Sequence, residues 1–251
     1  MGIPVHELPL PAFLKAIGKI ETKPGGGYAT RKAIDKLAIT HLDKLLVIGP
    51  DAAAQAFHMA MTTRSNVTAL VSNLAEALPA DDAALARSCR FDVGSVEKLP
   101  QEAGAFTAVL CEATLSYLPR ERQAAALGEL ARVLQPRGRL GLHEICWRQP
   151  PTPELEKSLR EVWCGEVHPH VTRGWWDALE AAGFGSIDTE QAIISYFTRK
   201  GMEVDEVENT ANVFHGAFET DEKLARFTRA YREFSEQRRY HGVLIGVATK
   251  R

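Results

Sequence analysis

The side chains best suited to chemistry fall at the ends of short apolar runs. Glu112 and Ser116 follow the run Phe106 to Cys111, and His143-Glu144 lie at the end of the run that begins at Arg139. A carboxylate and a hydroxyl at a strand end can hold a polar ligand or cap the helix that follows. A histidine there can orient an acceptor molecule or take its proton, or it can act as an internal hydrogen-bonding group. Gly49-Pro50-Asp51 close an earlier run. Gly49 lets backbone approach a ligand, whereas Pro50 removes a donor N–H and Ala52 to Ala54 add Cβ atoms that narrow the approach. Asp51 is placed to cap the next helix. Asn73, just past the run Val67 to Val71, can hydrogen-bond a diol without contributing charge. Gly25-Gly26-Gly27-Tyr28 reads either as a linker or as part of a binding loop.

Two further groups invite a functional reading and have a stronger plain one. Cys164, Glu166, His168 and His170 are crowded together, but their spacing is not that of a zinc knuckle, so a solvated loop and no metal are expected. Trp163, Trp175, Trp176, Phe184, Tyr196, Phe197, Phe214 and Phe218 could wall an acceptor pocket, yet helix packing accounts for most of them. The arginines of Arg226 to Arg239 alternate with Glu233 and Glu236, the pattern of a solvated helix face.

The elements that must position these residues follow from periodicity. Leu10, Phe13, Leu14, Ile17 and Ile20 mark a first helix, broken at Pro24-Gly25-Gly26-Gly27, and Thr30 to Leu42 resumes helical spacing. Lys44 to Gly49 is a continuous apolar run of the kind buried on both faces of a parallel sheet. Ala52 to Met61 is helical, Val67 to Val71 a strand, Leu74 to Ala86 helical, and Arg90 to Val93 and Phe106 to Cys111 are strands. Arg120 to Leu134 is an amphipathic helix, and Arg139 to Ile145 is a strand entered through the turn Pro136-Arg137-Gly138. Helices over Pro153 to Trp163 and Arg173 to Ala182, a strand from Ser186 to Ile194, a largely helical stretch Thr198 to Arg239 and a strand Tyr240 to Thr249 complete the chain. This alternation predicts a doubly wound α/β sheet with right-handed crossovers and a helical insertion before the last strand.

A chain of 251 residues with 45% hydrophobic and 25% charged residues suits one folded core. A net charge of −2 argues against a nucleic-acid partner. Four widely spaced cysteines without a CxxC pair fit a reducing, cytoplasmic setting. No run is long and apolar enough to predict a membrane span.

The order of elements together with Leu99-Pro100, the Phe106 to Leu118 segment, the turn LARVLQPRGRL from Leu130 to Leu140, His143-Glu144 and the segment WDALEAAGF from Trp176 to Phe184 resembles class I S-adenosylmethionine-dependent methyltransferases of the small-molecule, type 11 kind. The resemblance covers roughly Thr30 to Gly183 and the last strand, and it implies a Rossmann-like, mostly parallel, seven-stranded sheet. It divides one methyltransferase-like domain, 1–251, into an N-terminal helical segment (1–42), a cofactor-binding core (43–149), acceptor-side helices and insertion (150–239) and the last strand (240–251). It further implies S-adenosylmethionine as cofactor, held by Gly26, Tyr28, Gly49, Asp51, Asn73, Ser95, Val96 and Glu112, with His143 as a base toward a small-molecule acceptor. A homodimer is an open expectation. Several family features are altered. The glycine-rich turn keeps only Gly49, Ser72-Asn73 stand where an acid would hold the ribose, and Ser95 occupies the place of an Asp in the adenine loop, Asp92 falling three residues too early. These losses leave a second reading, a non-catalytic protein that uses the same fold as a binding or dimerisation module. A nicotinamide-dependent oxidoreductase ranks last because GxGxxG is absent.

Overall fold

The computed structural model describes residues 3–73, 89–197 and 209–251. Strands β1 (Lys44–Ile48), β2 (Asn66–Val71), β3 (Cys89–Val93), β4 (Phe106–Glu112), β5 (Leu134–Trp147), β6 (His170–Val171), β7 (Phe184–Ala192) and β8 (His241–Lys250) form one sheet. Its path is β3-β2-β1-β4-β5-β8-β7, with the two-residue β6 pairing beside the end of β5. The seven strands of that path match the expected sheet. The β6 pairing adds an eighth that its two residues were too short to announce. β1 to β5 run parallel, while β8 is antiparallel to both β5 and β7.

Side-chain alternation divides the core between two faces. Leu45, Val47, Ala108, Leu110, Ile145 and Trp147 face one hydrophobic cluster, while Leu46, Ile48, Val109, Cys111, Leu142 and Cys146 face the other. The first face is covered by α1 (Leu10–Ala16), α2 (Gly26–Leu37) and α3 (Ala52–Thr63), and the second by α4 (Arg120–Val133). The apolar spacing read from the sequence therefore marks the buried stripes. Beyond β5 come α5 (Pro153–Trp163), α6 (Thr172–Ala181), α7 (Thr210–Ala217) and α8 (Asp221–Glu236). Thr152 caps α5 by accepting the N–H of Leu155 at 3.4 Å, with Pro153 at the first helical position, where its missing N–H costs nothing. Trp163, Trp175, Phe184 and Tyr196 are packed in the interior, as the packing reading expects, whereas Phe214 and Phe218 are exposed.

Several boundaries differ from the sequence reading. The first helix ends at Ala16 rather than Ile20, and α2 starts at Gly26, so the glycine run opens a helix instead of forming a linker. Packing forces this choice. A Cβ on Gly25 would lie 2.8 Å from His143 Nε2 and 3.1 Å from Val243, so only glycine lets the chain enter α2 so close to the sheet. The expected helix Leu74 to Ala86 and the start of the Thr198 to Arg239 stretch lie outside the described residues. Within the described part of that stretch, α7 and α8 are helical as expected.

Gly49 is the tightest point of the sheet's carboxyl edge. It has φ of +153°, and a Cβ there would stand 2.7 Å from the carbonyl oxygen of Glu112 on the neighbouring strand. Gly49→Ala should destabilise the fold by about 1–3 kcal/mol through combined backbone strain and overlap. The midpoint of urea unfolding measures this, and an unchanged midpoint would refute the tight approach.

Candidate functional site

Ligands of open α/β sheets sit beyond the carboxyl ends of the strands. At that edge lies a crevice of about 570 Å³, lined by Gly49 to Ala54 after β1, Leu70 to Ser72 at the end of β2, and Lys15 from α1. Pro50 is at its wall and does not fill it. Phe57 is turned into the core against Phe91, with ring centroids 5.5 Å apart. Asp51 occupies the N-cap position of α3 without capping it by a side-chain hydrogen bond, contrary to expectation. Its carboxylate instead stands 3.7 Å from Lys15 Nζ, so the crevice carries an ion pair on its rim.

Beside the crevice the α2 face of the sheet holds a buried polar cluster. Glu112 and His143 are neighbours in the β4–β5 register, and alternation points both toward α2, while Glu144 points the opposite way. Glu112 is 2% exposed and collects three partners. Thr30 Oγ1 donates to Oε1 at 2.6 Å, His143 Nδ1 lies 3.2 Å from the same oxygen, and Lys23 Nζ lies 3.7 Å from Oε2. Lys23, itself 4% exposed, also faces Glu21 Oε2 at 3.8 Å. The backbone N–H of Gly25 donates to His143 Nε2 at 3.0 Å. An Nε2 that accepts leaves the proton on Nδ1, which donates to Glu112.

The electrostatics follow from burial against pairing. Burial pushes the Glu112 carboxyl up, but Lys23 and then His143 outweigh it, and the group ends below its ordinary value. Burial works to lower the Lys23 pKa, yet Glu112 and Glu21 reverse the sign and leave it raised. For Glu21 burial wins over Lys23, so its carboxyl is raised. One cation thus sits between two carboxylates, one of them easily ionised and the other reluctant.

Glu144 has a different task. Its carboxylate accepts the N–H groups of Thr114, Leu115 and Ser116 at 2.9–3.0 Å and the Ser116 hydroxyl at 2.6 Å. It fixes the turn that leaves β4, where Ala113 adopts a φ of +44°. Burial raises its pKa despite these hydrogen bonds.

Residues 45–142 match the family model of the methyltransferase domain. The chain is 25% identical over 237 residues to an uncharacterized protein of Haemophilus influenzae, a match covering 89% of this chain and 91% of that relative. Among solved structures, MccD protein superimposes with a TM-score of 0.69 at 18% identity, covering 91% of this chain and 99% of that one. A Haemonchus contortus phosphoethanolamine N-methyltransferase 2, in complex with phosphomonomethylethanolamine and S-adenosylhomocysteine, gives a TM-score of 0.71 at 14% identity over 95% of this chain and 56% of its own. The chain has the class I methyltransferase fold.

Within this fold the residues expected to hold cofactor fall into three places. Gly49 and Asp51 line the crevice, and Asn73 follows its last lining residue, Ser72. Gly26 opens α2 and is buried, and Tyr28 sits on the same helix, partly exposed. Ser95 and Val96 lie in the turn after β3, outside the residues that line the crevice. Ser95 Oγ accepts from the N–H of Glu97 at 3.3 Å, and Val96 is packed in the core. Asp92 is engaged by Gln101 Nε2 at 2.8 Å. His143 is fully buried with both ring nitrogens engaged inside the protein, and it does not line the crevice. Glu21, Lys23 and Thr30 escaped the sequence reading. The one available signal was a charged Glu21-Thr22-Lys23 triplet directly before the glycine run. Among the described residues, no group of His, Cys, Asp or Glu could hold a metal ion, and no helix is long and apolar enough to cross a membrane.

The cluster has a definite pH signature. Glu112, with its lowered pKa, contributes stability that is present above the ordinary value of 4.5 and is lost as pH falls through its lower folded value. Lys23, raised above 10.5, contributes stability that is lost only as pH rises past its folded value. Glu112→Gln should therefore cost about 3–5 kcal/mol at neutral pH by leaving Lys23 short of a partner. The deficit should shrink as the wild type is acidified below the ordinary carboxylate range. Calorimetric melting of both proteins against pH checks this, and a deficit independent of pH would contradict it.

Proposed function

We propose that the protein transfers a methyl group from S-adenosylmethionine to a small-molecule acceptor. The observation that carries this reading is the crevice at the carboxyl ends of β1 and β2, whose volume of about 570 Å³ lies within the range of about 300–1,000 Å³ usual for small-molecule sites. The adjoining charges suit such a cofactor. Lys23 stands between Glu21 and Glu112, so with both carboxylates ionised the cluster is one positive charge short, and a sulfonium ligand would bring that charge. Bound there, S-adenosylmethionine supplies an electrophilic methyl group.

The chain's own residues would hold and align it. Gly49 allows backbone approach at the end of β1, Asp51 offers a carboxylate from the crevice wall, and Ser72 and Asn73 offer hydrogen-bonding groups for the ribose hydroxyls. Glu112 would face the charged end of the ligand, and Gly26 and Tyr28 on α2 would close that side. Ser95 and Val96 would bound the adenine end. His143 would act indirectly, by holding Glu112 and the Gly25 backbone in place. Catalysis of this kind asks for alignment and exclusion of water more than for an acid or base. The Haemonchus contortus neighbour, with a small acceptor and S-adenosylhomocysteine in its complex, supports a small-molecule acceptor here.

Pro50 and Ala52 to Ala54 favour the second reading, a non-catalytic binding module, because they withhold the N–H and the open space that glycines would give. Isothermal titration separates the two. Saturable heat with both S-adenosylmethionine and S-adenosylhomocysteine is expected. No heat and no thermal shift at millimolar ligand would overturn the methyl-transfer reading and leave the binding module.

A further inference from the structure

A pocket of about 230 Å³ lies between the turn Val5–Glu7, the end of α5 and one face of α8, and it shares no lining residue with the crevice at Gly49. Cys164 and Arg226 both line it. Cys164 follows the last residue of α5 with a φ of +47°, a position where glycine is the usual choice. It is partly exposed, whereas Cys89, Cys111 and Cys146 are buried. Its Sγ shares one proton between the backbone carbonyls of His6 and Glu161, at 3.2 and 3.3 Å.

The charges of the pocket are unevenly matched. Arg229 is engaged by Glu161, and Glu222 by His6. Arg226 is 9% exposed and lacks such a partner in its hydrogen bonds, since Nη1 and Nη2 donate to the backbone carbonyls of Val5 and Leu8. Its Nε has no hydrogen-bond partner among the described residues. A buried cation with an idle N–H is costly and calls for an acceptor, best of all an anion. The Cys164 sulfur is within reach of that guanidinium. Burial lowers the Arg226 pKa, and the sulfur, as a negative charge and hydrogen-bond acceptor, is the largest influence against it.

We propose that Cys164 is a modification site, where the chain exchanges with low-molecular-weight disulfides and keeps one half of the reagent in this pocket. Cys164 gives its proton to water, and the idle N–H of Arg226 holds the thiolate. The thiolate attacks one sulfur of the disulfide, a new S–S bond forms as the old one breaks, and the other half leaves as a thiolate with the bonding pair. That half is reduced as Cys164 is oxidised, so no further oxidant enters. The thiolate is the nucleophile, and a cation beside it favours that form. Val162, Ala225 and Ala230 give the retained half an apolar wall. The other cysteines are poor competitors. Burial pushes the Cys89 thiol up to about 11 and that of Cys146 up to about 12, and it holds Cys111 well above the ordinary thiol value.

The test is incubation of the folded full chain with bis(2-hydroxyethyl) disulfide, followed by intact-protein mass spectrometry and peptide mapping. A single adduct is expected, on Cys164, removed by dithiothreitol and absent from Cys164→Ser. Arg226→Leu, which stays apolar against the ring of Phe13, should slow its formation by at least about tenfold. Where that variant does not fold, the wild type in native buffer and in urea decides. Cys164 should react faster in the folded protein, where the guanidinium is held beside it. No adduct, an adduct on a buried cysteine instead, an unchanged rate in folded Arg226→Leu, or a native rate no higher than the unfolded one would overturn the proposal. None of these outcomes depends on the methyl-transfer reading.

Discussion

A single buried carboxylate, Glu112, organises the carboxyl edge of this sheet. Removing it from water is unfavourable, and the protein offsets that cost with a hydroxyl from Thr30, a ring N–H from His143 and the ammonium of Lys23. Each partner comes from a different part of the chain. Thr30 belongs to α2, His143 to β5, and Lys23 to the segment that leads from α1 into α2. The need to satisfy one carboxylate therefore fixes the N-terminal segment against the tips of β4 and β5. The hydrogen bond from the Gly25 N–H to His143 extends the same network to the start of α2. Further bonds hold that segment from the other side, with Tyr196 donating its hydroxyl proton to the carbonyl of Thr22 and the Ser195 N–H donating to that of Pro24.

This arrangement separates support from recognition. Strand alternation places His143 and Glu144 on opposite faces although they are adjacent in sequence. His143 serves the α2 side, and Glu144 fixes the turn after β4 by accepting four hydrogen bonds. Both are positioning groups held by the rigid sheet. The crevice beside them is bounded by the turn Gly49 to Asp51, the start of α3, the end of β2 and Lys15 of α1. That division lets the turn after β1 carry Pro50 and Ala52 to Ala54 with the sheet beneath it intact. Gly49 stands where packing against Glu112 leaves no room for a Cβ.

The fold was readable because its evidence is local. The runs Lys44 to Gly49, Val67 to Val71 and Phe106 to Cys111 are apolar enough to be strands buried on both faces, whereas Pro136-Arg137-Gly138, read as a turn before a strand, lies inside β5 where the pairing with β4 shifts register between Leu134 and Arg139. The site was less readable because its evidence is not local. Glu112 and Thr30 are bonded across 82 positions, and Gly25 and His143 across 118, so no periodicity or spacing announces them. The glycine run shows the limit most clearly. Three glycines in a row locally suggest a loop, but the helix starts at Gly26 because only a residue without a side chain fits at position 25 against His143 and Val243. Asp51 shows the reverse error. It has the right residue type and position for a cap, yet it turns toward Lys15, a partner on a helix far away in sequence.

The most direct test of this account is the carbon-13 chemical shift of the Glu112 side-chain carboxyl followed across pH in the intact protein. The account predicts a group that stays ionised through the range where an ordinary glutamate with a pKa near 4.5 titrates, and takes up its proton only at lower pH. A carboxyl that titrates at or above that ordinary value would show that burial outweighs Lys23, His143 and Thr30, and the proposed organising role of Glu112 would fail.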